Sequence, residues 1–129
     1  MTSPTGQMKR RLVVIVSHPI QHFAAFYRGL AKHPRIEITV LFASSIGARP
    51  YFDDDMNTHV KWNADLLGGY RHMFLKEADD IARASPLSLD NPSVVAQLAR
   101  CEPHVVLLYG YNHRTNWRSL AWCRRNRVP

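Results

Sequence analysis

Four residues able to do chemistry, Ser17, His18, Gln21 and His22, fall together where the apolar run V-V-I-V (13–16) stops and an amphipathic pattern begins. A histidine can act as a general base near neutral pH or hydrogen-bond a hydroxyl. Gln21 adds one acceptor and two donors. A helix starting here would point free backbone N–H groups and a positive dipole end at the same place. That mixture suits a polyhydroxyl ligand beside a phosphate. The plainer reading is that Ser17 or His18 caps the helix and His22 faces solvent. A second group, Tyr109, Gly110, Tyr111, Asn112 and His113, follows the late apolar run H-V-V-L-L-Y (104–109).

Glycines are missing from the first turn. The dinucleotide fingerprint G-x-G-x-x-G needs them for a tight turn and close approach to pyrophosphate, so S-H-P-I-Q-H argues against NAD or FAD. The phosphate loop G-x-x-x-x-G-K-[ST] is also lacking. Asp53, Asp54 and Asp55 contain a D-x-D pattern of the kind that can hold a divalent metal. They sit in a loop-like stretch, and a solvated acidic loop is the reading taken, with no metal site. Trp62, Trp117 and Trp122 could stack on sugar rings. Trp117 and Trp122 are spaced to point to different helix faces, so at least one is read as core. The arginines at 114, 118, 124, 125 and 127 read as a membrane-facing or phosphate-facing patch. Cys101 and Cys123 form neither a metal-like cluster nor a disulfide framework and are read as reduced thiols.

These side chains need a scaffold, and the periodicity supplies one. Residues 11–16 are a continuous apolar, mostly β-branched run, as expected of a central strand buried on both faces. Residues 20–32 put Ile20, Phe23, Phe26 or Tyr27, and Leu30 on one helical stripe, with Pro19 at the first helical position. His33 precedes a proline, which ends the helix. Residues 36–43 are a second strand. The stretch S-S-I-G-A-R-P-Y-F-D-D-D-M-N is loop-like. T-H-V-K-W-N is a short strand, Gly68 and Gly69 make a turn, and residues 70–76 form another strand. Residues 77–92 are irregular. A helix over 93–101 has Asn91 or Ser93 near its N-cap, a strand covers 104–109, and a second helix-like stretch covers 115–125. This order implies a doubly wound, mostly parallel α/β sheet. In such sheets ligands bind beyond the carboxyl ends of the strands. Both chemical groups fall there.

The 129 residues suit one domain, and 46% hydrophobic residues can build a core. A formal net charge of +7 points to an anionic partner or to a solvated basic surface. The apolar run after the polar N-terminus is too short for a signal-peptide core, and no stretch approaches a membrane span. Residues 1–10 are expected to be a disordered tail and 11–129 a domain that continues beyond Pro129. No nucleic-acid module is recognisable, so no nucleic-acid partner is expected.

The segment R-L-V-V-I-V-S-H-P-I-Q-H-F-A-A-F-Y-R-G-L-A-K-H-P-R-I-E-I-T-V-L-F-A-S resembles the N-terminal domain of GT-B-type glycosyltransferases of group 1 (family 4). It is closest to bacterial members with a strand followed by H-P-I-Q-[YH]-F-x-x-x-[YF]-R-x-L. Y-F-D-D-D-M-N-T-H-V-K-W-N-A-D-L-L-G-G-Y-R-H-M-F-L and P-H-V-V-L-L-Y-G-Y-N continue the likeness, which spans most of residues 11–125. The resemblance implies an enzyme of two Rossmann-like domains with its active site in the cleft between them. This chain would be the acceptor-side half, inactive alone. A donor-binding half of ~200 residues would hold the nucleotide-sugar co-substrate, and no other cofactor is implied. Ser17, His18, Gln21 and His22 would face the cleft from one loop, and Tyr109, Gly110, Tyr111, Asn112 and His113 from another. His18 is the candidate catalytic residue. It would take the acceptor hydroxyl proton in an inverting enzyme, or bind a hydroxyl or phosphate in a retaining one. The acceptor would be a glycan or a lipid-linked sugar. A cytoplasmic protein with peripheral contact at the inner membrane face is implied. The alternative is a stand-alone, non-catalytic α/β module that binds a ligand or polyanion.

Overall fold

The computed structural model describes residues 8–47, 66–81, 85, 87–110 and 113–129, together with the backbone of 51–53 and 58–60. Four strands form one parallel sheet in the order β5-β2-β1-β6: β1 (Arg10–Val16), β2 (Ile36–Phe42), β5 (Arg71–Phe74) and β6 (Val105–Leu108). Two helices connect them, α1 (Gln21–Ala31) between β1 and β2 and α2 (Val94–Cys101) between β5 and β6, and a third, α3 (Arg114–Asn126), follows β6. The register runs Val16↔Phe42, Phe42↔Phe74 and Ile15↔Leu108, which brings the carboxyl ends of all four strands level.

Alternation along the two central strands builds two cores. Val14, Val16, Ile38, Val40 and Phe42 pack with Ala24 and Tyr27 of α1. Val13, Ile15 and Leu41 point the other way and pack with Val94 and Leu98 of α2, with Trp122 of α3 beside them. Each helix presents one apolar stripe to its face of the sheet, and helices on both faces make the fold α/β, doubly wound and Rossmann-like. Burying such side chains contributes about 1.5–3 kcal/mol each relative to exposure.

Some details differ from the sequence expectation, including shifts of one or two residues at element ends. The first strand begins one residue early, at Arg10. Pro19 does not open α1: it lies buried in the connection, and extended Ile20 (φ −130°, ψ 129°) is the N-cap. Two polar side chains cannot continue an apolar strand, so the chain spends four residues turning before it coils. The supposed loop after β2 contains β3 (Tyr51–Asp53), paired antiparallel with β4 (Thr58–Val60). Three-residue strands are too short to show a period of two. Trp62, Asp54 and Asp55 lie outside the described residues.

Polar groups tie the loops to this frame. Asn91 is fully buried; its Nδ2 donates to Ala43 O (2.9 Å) and its backbone N–H donates to Thr115 Oγ1 (2.9 Å). Thr115 Oγ1 lies 2.7 Å from Asn91 Oδ1 and 3.0 Å from Leu89 O, both acceptors for its hydroxyl. Ser44 Oγ donates to Ile81 O (2.6 Å). The Asp90 carboxylate receives a forked pair from Arg118, at 2.6 and 3.2 Å, which holds its pKa below the ordinary carboxylate value. On the other face, Arg28 Nε donates to Gly68 O (2.7 Å), and the Tyr27 ring meets Tyr70 edge-on at 5.3 Å.

Two substitutions test this scaffold. Gly69 has φ +85°, and a Cβ there would sit 3.0 Å from Arg28 Cγ. Gly69→Ala is expected to destabilise by more than about 1 kcal/mol, read from the urea midpoint. Asn91→Ala removes the side-chain donor to the buried Ala43 carbonyl and one acceptor of the Thr115 hydroxyl, and is expected to cost about 1–3 kcal/mol; a loss under a few tenths would remove Asn91 from its bracing role.

Candidate functional site

The residues that end β1 and β6 lie side by side. Tyr109 N–H donates to Ile15 O (3.3 Å), so the β6 exit is level with the approach to Ser17. The Tyr109 ring packs on Phe23 of α1 at 4.9 Å, and Phe23 in turn touches His22 at 4.4 Å. Ser44 N–H donates to Ser17 O (2.7 Å), fixing the turn against the end of β2. The turn is therefore held by backbone bonds and aromatic packing, with its own polar side chains left for other work.

His18 is half-buried, and its Nδ1 is 2.8 Å from Ser17 Oγ. Burial lowers its pKa below the ordinary value of 6.5, so the ring is neutral at pH 7. The hydrogen bond to Ser17 then governs the other nitrogen. If Nδ1–H donates to Ser17, Nε2 is a free lone pair able to accept a proton; if Ser17 donates, Nε2–H is a donor to a hydroxyl or phosphate oxygen. Ser17 thus fixes the orientation of the His18 ring. Neither Ser17 nor His18 caps α1, because Ile20 takes that place and no side chain caps the helix. With no acidic residue in the first turn, its N–H groups remain able to receive an anion. Gln21 and His22 are exposed on that first turn.

On the β6 side, Gly110 is exposed at φ +82°, a left-handed turn that suits glycine. Tyr109 is half-buried, while Tyr111 and Asn112 lie outside the described residues. His113 is the N-cap residue of α3 and only 6% exposed. Asn116 explains that burial: its Nδ2 donates to Tyr109 O (2.7 Å) and Gly110 O (2.9 Å) and lies 3.3 Å from His113 Nε2. His113 is therefore packed under a turn that Asn116 braces, with little of its ring exposed. Its Nδ1 and Asn116 Oδ1 have no hydrogen-bond partner among the described residues. Desolvation lowers the His113 pKa, against a smaller raising effect of a backbone hydrogen bond at Tyr109.

Sequence reasoning missed Asn116, whose amide holds the second turn, and Thr115, whose hydroxyl holds Leu89 and Asn91. Their only signal is position: small polar residues just inside a helix that follows a Gly-containing turn. No group of acidic, histidine or cysteine residues arranged for a metal occurs among the described residues. Cys101 and Cys123 are free. No described helix is long and apolar enough to cross a membrane. Compared with protein families, characterised proteins and solved structures, the chain has no match.

Both histidines have folded pKa values below the unfolded value, so the unfolded chain binds more protons. Their stabilising neutral state is fully present above about pH 6.5 and is lost as pH falls through the lowered folded values. The urea midpoint should therefore drop as pH falls below about 6.5, and His113→Gln should flatten that dependence. Identical pH profiles for the two proteins would mean His113 is not protonated on unfolding.

Proposed function

We propose that this chain is the acceptor-binding half of a glycosyltransferase that moves a sugar from a nucleotide-sugar donor to a hydroxyl acceptor. The observation that carries the reading is the S-H-P-I-Q-H turn: a glycine-free connection at the carboxyl end of β1, with His18 backed by Ser17 at 2.8 Å above an uncapped helix N-terminus. Ligands of doubly wound sheets bind beyond these strand ends. The same motif extends to Tyr27 and Arg28, which contact Tyr70 and Gly68 in the second stretch of the resemblance. That part of the likeness has a structural reason: the tyrosine–arginine pair clamps the Gly-Gly-Tyr turn.

In this reading His18 Nε2 contacts the acceptor hydroxyl, and Gln21 binds a second hydroxyl. The free N–H groups of α1 receive a phosphate of the acceptor or donor. Tyr109 forms an apolar side wall with Phe23. The donor sugar-nucleotide is bound mainly by a second domain outside these residues, and the reaction needs no further cofactor.

The test is transfer by the intact protein across a panel of nucleotide-sugars and glycan or lipid-linked acceptors. His18→Ala and Gln21→Ala should each lower turnover by well over tenfold, in line with the roughly 10²–10⁴-fold worth of a positioned acid–base group for His18. Unfolding midpoints should stay near wild type, because neither side chain is buried in a core. Near-wild-type transfer by both variants would refute the site.

A further inference from the structure

The cationic side chains are sorted along the axis of the sheet. A parallel α/β sheet gathers strand starts and helix ends on one side. There, β1 and β5 open on Lys9, Arg10, Arg11 and Arg71. The end of α1 and its turn add Lys32 and Arg35, with Arg10 N–H donating to Arg35 O (2.8 Å). The ends of α2 and α3 add Arg100, Arg124, Arg125 and Arg127; Val106 N–H donates to Pro129 O, placing the end of α3 beside the start of β6. More than half of the 17 Lys and Arg residues thus share one end. Against them, the described acids there are Glu37 and Glu102, both exposed. At the opposite end lie Glu77, Asp79, Asp80 and Asp90, with Lys76, Arg114 and Arg118; both arginines engage Asp90.

Helix dipoles favour cations at helix ends, which accounts for Arg100, Arg124 and Arg125. Strand starts carry no comparable field; Arg11 Nε donates to Glu102 O (2.6 Å), but Lys9, Arg10 and Arg71 need another reason. Two open cavities also lie at this end. One of about 320 Å³ is lined by Arg11, Arg71 and Arg100, with Glu37 and Glu102. The other, of about 490 Å³, is lined by Lys9, Arg10, Arg35, His104 and Met8. Arg71 meets Glu37 only at 3.8 Å, with both side chains exposed.

We propose that this basic end is a docking surface for an anionic lipid bilayer, with Lys9, Arg10, Arg35 and Arg71 against the headgroup phosphates and Met8 entering the interface. Charge complementarity selects the partner's sign. Met8, 75% exposed between the cavity and solvent, gives an apolar contact that a bilayer can receive. A nucleic-acid single strand would want aromatic platforms among the cations. The large exposed aromatics among the described residues are Phe26, within α1, and Trp117, near the start of α3 at the other end. The inference stands independently of the transferase reading.

The experiment is co-sedimentation of the intact protein with vesicles of phosphatidylcholine alone or of equal parts phosphatidylcholine and phosphatidylglycerol. Binding is expected only to the anionic vesicles and should fall in high salt. Arg10→Gln and Arg35→Gln should each weaken partitioning by about fivefold. Lys76→Gln, which removes the same charge from the opposite end, should leave it nearly unchanged. Equal binding to neutral vesicles, or an equal loss with Lys76→Gln, would overturn the proposal. So would retention of an RNA or DNA oligomer under conditions where anionic vesicles are not bound, which would reassign the face to nucleic acid.

Discussion

The pairing of β1 with β2 is the constraint on which everything else rests. Side chains from both strands enter both cores, and Thr39 is the buried polar exception among them. Two strands so enclosed must be apolar on both faces and covered by helices on both sides. They leave no room for chemistry along their length. Polar residues can begin only where the strands stop, and they do so together at Ser17 and Ser44, joined by a backbone hydrogen bond of 2.7 Å.

Ends of buried strands expose a second problem, because their last carbonyls and amides need partners away from water. The protein answers with side chains from distant segments. Asn91 reaches the Ala43 carbonyl, Thr115 holds Asn91, and Asn116 holds the carbonyls of Tyr109 and Gly110. The start of α3 thus serves as a bracket across the carboxyl end of the sheet. The turn bearing His18 takes no part in that bracket through its side chains. It can carry groups chosen for a ligand while Asn91, Thr115 and Asn116 keep the frame closed.

This division explains what the sequence disclosed. The strands of the parallel sheet and the helices were legible because each is long enough to show its pattern, while three-residue β3 was not, and the parallel order followed from their alternation. His18 was legible as a candidate because it interrupts an apolar run where a sheet end must fall. The role of His113 was not, since its burial depends on Asn116 and on two carbonyls several residues before it. Nor was the Asn91–Thr115 bond, which joins residues 24 apart through a fold that neither neighbourhood predicts. Pro19 misled for a local reason. A proline is welcome at a helix start, but Ile20 stays extended here and delays the helix. The Arg28–Gly68 contact was hidden in a likeness: Arg28, quoted there only as part of a motif, holds a turn 40 residues on.

The two ends of the sheet therefore differ in kind. At the carboxyl end, acids and bases are nearly balanced, and Arg114 and Arg118 engage Asp90. Local geometry there sets the field felt by His18, and burial keeps the ring neutral. At the amino end, cations outnumber acids, and exposed strand-start side chains add a field that extends about a Debye length into solvent. A bilayer on that end would stand a strand length away from the turn at Ser17. It would hold the opening beyond His18 turned from the lipid surface, towards water. Under the transferase proposal, a soluble donor would reach it freely, and a lipid-linked acceptor would need a head long enough to come round the edge of the sheet. Taken together, the two proposals favour an acceptor that is water-soluble or carried on an extended glycan over one whose reacting hydroxyl lies at the membrane plane.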